Sequence, residues 1–141
     1  MTGVIVVGVD GSETARKAAE SARDLALALG TTLHVITAFD GDHTVVFGTG
    51  SDQLAVSPED NAEKVARSVA VDLSTGELKV AYFAVRGTPA QALLKQAEKY
   101  DAQMIVVGNK RMQGIGRVLG SIASSVAHNA PCDVYIAKTD I

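Results

Sequence analysis

The chain has 141 residues, 47% of them hydrophobic, and a formal net charge of −3 at pH 7. That length suits one domain, and that charge gives no bulk attraction to nucleic acid or to an anionic membrane. No apolar run approaches the roughly 20 residues that span a bilayer, the opening MTGVIVVGVDGS lacks the basic region of a signal peptide, and the lone Cys132 forms no intrachain disulfide, so a reducing cytoplasm is the expected compartment.

Residues 3–9, GVIVVGV, form a short Val-rich run, the pattern of a strand buried on both faces. DGS interrupts it. Ala15, Ala18, Ala19, Ala22, Leu25, Ala26 and Leu29 then recur at helical spacing, and Gly30 is placed to end that helix. TLHVITAF, 32–39, predicts the second strand. Residues 40–56, DGDHTVVFGTGSDQLAV, have no clean period and one apolar patch, Val45 to Phe47. They read as a long loop, of the kind that is functional or disordered. Ser57 as N-cap, Pro58 in the first helical position, and Glu59 and Asp60 at the positive end open a second helix. Ala62, Val65, Ala66, Val69 and Leu73 continue it. LKVAYFAV, 78–85, predicts the third strand. Thr88, Pro89 and Gln91 supply a capping box for the third helix. QMIVVG is the fourth strand and CDVYIA, 132–137, the fifth, with a fourth helix between them over roughly 117–129.

Strict alternation of apolar strands with helices predicts an α/β fold over 1–141. It is a five-stranded parallel doubly wound sheet, order 3-2-1-4-5, with four helices. Ligands of such sheets bind beyond the carboxyl ends of the strands, where the strand order reverses. The first and fourth strands flank that point, and their loops begin VDGS and GNKR.

The second loop is distinctive. GNKRMQGIGRVLGS, 108–121, holds four glycines, three cations and no acid. Gly108, Gly114, Gly116 and Gly120 allow close backbone approach. Lys110, Arg111 and Arg117 add charge, and a helix N-terminus with Ser121 follows. This reads as a phosphate-binding loop. The competing reading is a set of plain turn glycines with solvated cations. The segment is not a Walker A motif, and Leu119 stands where a dinucleotide fingerprint needs its third Gly.

The chain resembles the universal stress protein family, the small UspA-like domains. The resemblance runs through VIVVGVDGSETARKAAESA, LHVITA, VRGTPAQALLKQAEKYDAQMIVVGNK and GRVLGSIASSVAHNAPCDVYIAK, and the last of these is similar to bacterial members. It implies a Rossmann-like fold of the adenine nucleotide alpha hydrolase type. ATP-binding members carry Gly-x2-Gly-x9-Gly-Ser/Thr after the fourth strand. Gly108 matches the first Gly, and Gly120 and Ser121 match the closing pair. Arg111 stands at the second Gly position, with only eight residues before Gly120. An Arg there either blocks backbone approach or reaches a phosphate. The resemblance implies Asp10 near the ribose or a metal-bound phosphate, and the Val35 backbone at the adenine edge. It places Val107 on the pocket floor, and Gly108, Gly120, Ser121 and the Ile122 amide at the phosphates. ATP, with or without Mg2+, is the implied ligand. A helix cap is the alternative role of Asp10, and strand core that of Val35.

No catalytic set is expected beyond slow, incidental ATP hydrolysis. His34, His43 and His128 are scattered without metal spacing, one Cys cannot build a thiolate zinc site, and no Gly-x-Ser-x-Gly elbow occurs. Structural roles are the simpler reading of the histidines and of Cys132. Three functions stay open: an ATP-binding regulatory protein, a UspA-type interaction protein that binds no nucleotide, and a binder of AMP or cAMP. The last strand forms a sheet edge, and edges invite pairing. A homodimer through 132–137 is expected, with Val134 and Ile136 alternating with Tyr135. The competing reading is an edge protected by Asp133 and Lys138.

Overall fold

Strands and helices follow one another as β1 (Val4–Gly8), α1 (Glu13–Leu29), β2 (Thr32–Phe39), β3 (Val45–Phe47), β4 (Leu54–Val56), α2 (Pro58–Leu73), β5 (Val80–Arg86), α3 (Pro89–Lys99), β6 (Met104–Asn109), α4 (Ser121–Asn129) and β7 (Asp133–Lys138). The structure, a computed structural model, describes residues 3–41, 45–47, 54–109 and 119–139. Five strands make one parallel sheet in the order β5-β2-β1-β6-β7. Numbered within that sheet, this is 3-2-1-4-5.

The Val-rich strands are buried on both faces, and alternate residues divide the core. Ile5 and Val7 of β1, Val35 of β2 and Val106 of β6 meet the alanine faces of α1 and α2. Val6, Ile36, Ile105 and Val107 meet α3 and α4, including Leu93 and Val126. Helix starts are fixed by side-chain caps. Ser12 accepts from Ala15 N–H at 3.2 Å and Ser57 from Asp60 N–H at 3.1 Å. Thr88 and Gln91 exchange bonds as a capping box, at 3.0 and 3.3 Å. Gly30 ends α1 in the left-handed region, φ 66°, where a side chain would be strained.

Two expectations need correction. Residues 40–56 are not irregular throughout: β3 and β4 pair as an antiparallel hairpin, Val45 opposite Val56. Strands of three residues are too short to show a period-2 pattern. The fourth helix begins at Ser121, later than expected, because Gly120 takes the extended N-cap conformation. At the β7 edge, Val134 and Ile136 are half-buried against the α3 and α4 layer, and Tyr135 is the exposed apolar residue. Asp133 and Lys138, the charges read as protecting that edge, are both exposed.

Candidate functional site

The chain passes from β1 to β2 on one side of the sheet centre and from β6 to β7 on the other, and a cavity of about 270 Å³ opens at the carboxyl ends of β1 and β6. Gly8, Val9 and Asp10 line it from β1 and the turn that follows. Ile36 and Ala38 come from β2, and Val106, Val107 and Gly108 from β6. Helices α1 and α3 contribute Thr14, Ala15, Pro89 and Leu93, α4 contributes Ile122, and Thr139, which follows β7, completes the lining.

Of the residues expected at the site, Asp10, Val107, Gly108 and Ile122 therefore share one cavity. Asp10 is exposed and is not the helix cap, a role that Ser12 fills. One Asp10 carboxylate oxygen accepts the Ser12 N–H at 2.9 Å, which holds the carboxylate over the turn. Gly108 is where the walls come closest. A Cβ there would lie 3.0 Å from Thr139 Cγ2 and 3.2 Å from Ala18 Cβ. Gly8 is similar, with Leu93 Cδ2 at 3.3 Å from a built Cβ.

Val35 does not line the cavity. Its side chain is fully buried on the α1 and α2 face, and the β2 residues that do line it are Ile36 and Ala38. Gly120 and Ser121 stand just before Ile122, outside the lining itself. Arg111, with Lys110, Gly114, Gly116 and Arg117, lies outside the described residues.

The start of α4 differs from the other three long helices in having no side-chain cap. Its first intrahelical bond runs from Ser124 N–H to Gly120 O at 2.9 Å. The amides of Ser121, Ile122 and Ala123 precede that bond, at the positive end of the helix dipole. Ile122 lies on the cavity wall, which brings this helix start to the cavity. The site combines an apolar interior, one carboxylate at the β1 side and a helix N-terminus at the β6 side.

The histidines lie elsewhere. His34 is buried, and its Nδ1 lies 3.0 Å from the side-chain nitrogen of Gln96, with Phe83 and Tyr100 rings at 4.8 and 4.7 Å. Burial pushes its pKa down. His128 is exposed on α4, and His43 lies outside the described residues. Burial, and then the carboxylates of Asp133 and Asp101, push the Cys132 thiol up, which makes it a poor nucleophile. Among the described residues no three His, Cys, Asp or Glu side chains come together to hold a metal ion. No helix among them is long and apolar enough to cross a membrane.

Comparison with known proteins identifies this architecture. The family model described as the universal stress protein family matches residues 1–138. The chain belongs to the universal stress protein family. A relative from Thermus aquaticus, itself a universal stress protein, is 31% identical over 135 residues, 95% of this chain and 97% of its own. Among solved structures, a universal stress protein in complex with cAMP is 27% identical, with a TM-score of 0.67 and 97% of each chain covered. UspA from Lactobacillus plantarum is 21% identical with a TM-score of 0.72, over 96% of this chain and 97% of that one, and supports the fold.

The sequence reading of this family site missed Ile36, Ala38, Pro89, Leu93 and Thr139. The signal for three of them was present. Pro89 opens the helix after the third strand of the sheet, one turn before Leu93, and Thr139 follows the fifth, so all belong to the carboxyl-end side where ligands bind.

Proposed function

We propose that this universal stress protein binds an adenine nucleotide, with ATP as the principal ligand, and acts as a regulatory binding protein of the stress response rather than as an enzyme. The observation that carries this is the cavity at the strand ends, bounded by Asp10 on one side and the uncapped start of α4 on the other. Ile36, Ala38, Leu93 and Val107 offer apolar walls to a purine. Asp10 accepts from ribose hydroxyls, and Gly108, Gly120, Ser121 and Ile122 surround the phosphates. Mg2+ keeps much of its coordination on phosphates and water. Asp10, the carboxylate that lines the cavity, is the residue that would hold it there.

Asp10 is the one acidic or basic side chain lining the cavity among the described residues, and its assigned role is to bind ligand rather than to act as a general base, so no activity beyond slow, incidental hydrolysis is proposed. The chain works in the cytoplasm as a single domain over 1–141. It pairs with a second copy through β7, an edge strand whose Tyr135 is 43% exposed.

A second reading, AMP or cAMP, is favoured by two observations. The cavity, at about 270 Å³, falls just below the roughly 300–1,000 Å³ common for ligand pockets. The 27% identical structure is a complex with cAMP.

The test is to purify the protein without added nucleotide, denature it and identify the released ligand by mass spectrometry, with Gly120→Val as control. A Cβ at Gly120 would press on Asn109 Oδ1 at 3.2 Å. ATP released from the wild type alone supports the main reading, and a monophosphate the second. If nothing is released and millimolar ATP with magnesium does not bind, the nucleotide reading fails and a dimeric interaction protein is left.

A further inference from the structure

We infer that Asn109, the last residue of β6, is the positioning residue that holds the start of α4 against the cavity. The inference rests on the nucleotide reading above. The Asn109 side-chain oxygen accepts the Gly120 N–H at 2.8 Å, eleven positions along the chain. Asn109 is 5% exposed, and its own backbone is anchored. It pairs with Lys138 in the β6–β7 ladder, and its carbonyl accepts the Thr139 N–H at 3.1 Å. A rigid point of the sheet is thereby joined to the N-cap of the helix that forms the cavity rim. The adjoining residues, Gly108 before it and Thr139 across the ladder, both line that cavity.

Two consequences follow for an anionic ligand. The Gly120 amide is committed to Asn109, so the donors α4 offers begin with Ser121 and Ile122. The acceptor on Gly120 must also be uncharged. A carboxylate in its place accepts the same bond, but it sets a full negative charge beside the phosphates. The amide holds the helix start without that repulsion.

The experiment compares wild type, Asn109→Ala and Asn109→Asp as full-length protein. Calorimetric titration uses ATP and, separately, adenosine, and hydrogen exchange of the Gly120 amide is followed by NMR. Asn109→Asp should keep the Gly120 amide protected and bind adenosine within about twofold of wild type, while ATP affinity falls about tenfold or more. Asn109→Ala should lose the protection and also weaken ATP. The proposal is overturned if both variants bind ATP like the wild type. It is equally overturned if Asn109→Asp weakens adenosine and ATP alike, which would mark a purely structural residue. A Gly120 amide that exchanges freely in the wild type removes the hydrogen bond itself. A wild type that binds neither ligand, with the amide protected, refutes the nucleotide reading and the assigned role with it, yet leaves the hydrogen bond standing.

Discussion

Acid should weaken this fold through one side chain. His34 is 6% exposed, and with the Gln96 amide nitrogen at 3.0 Å its Nδ1 accepts, so the neutral ring carries its proton on Nε2. A second proton has to enter at Nδ1, against that donor and inside a layer of Phe83 and Tyr100. Burial lowers the folded-state pKa below the ordinary value of 6.5. The unfolded chain therefore takes up the proton first. The stability contributed by neutral His34 is fully present above about pH 6.5 and is lost as pH falls from there towards the folded-state pKa. One proton limits the slope to about 1.4 kcal/mol per pH unit. Carboxylates titrate below this window, so the measurement is a difference. Urea unfolding followed by circular dichroism, from pH 7.5 to 5, compares wild type with His34→Phe. The variant costs about 1–3 kcal/mol at neutral pH, because the buried Gln96 amide loses its partner. Its stability should nevertheless fall less steeply with acid than that of the wild type. Parallel curves would refute the argument, as would a steeper variant.

Three further outcomes are expected. Thr37→Val should be neutral or raise stability by about 1 kcal/mol in the same urea assay, since the Thr37 hydroxyl is buried without a hydrogen-bond partner among the described residues. A clear loss would mean that the hydroxyl has an acceptor. Gly108→Val should cost about 1–3 kcal/mol by overpacking against Thr139 and Ala18, and should abolish nucleotide binding by titration. An unchanged urea midpoint would show that α1 and Thr139 give way freely. Thr88→Ala should cost about 1 kcal/mol by removing the cap and capping box of α3. Thermal melting checks this, and a midpoint matching wild type would show that the cap is replaced by solvent.

The sheet was legible because its central strands, β1, β2 and β6, are buried on both faces, so each is a largely apolar run between polar or glycine breaks. The caps were legible because Ser57, Thr88 and Gly30 act within four residues of their own position. The hairpin was not, since three-residue strands carry no period. At the site, the rule that ligands lie beyond strand ends pointed to the loops after the first and fourth strands of the sheet, and the family resemblance singled out Asp10, Val107 and Gly108, which line one cavity. Asn109 passed unnoticed for a different reason. Its hydrogen-bond partner is remote in sequence, and nothing in GNKR marks the Asn as a brace rather than a loop residue. Alternation along β7 did not say that Val134 and Ile136 also pack against the α3 and α4 layer, because it does not tell which face a helix covers. The position of α4 makes that choice.

The central place of β1 has a temporal consequence. Its neighbours are β2, which follows almost at once, and β6, which arrives about a hundred residues later in the chain. The cavity needs both, and needs Thr139 as well. A nascent chain therefore has no cavity to offer until nearly all of it has left the ribosome. Half-made copies do not compete for ligand, and a ligand that does bind touches residues from both ends of the described chain and so stabilises only the completed sheet.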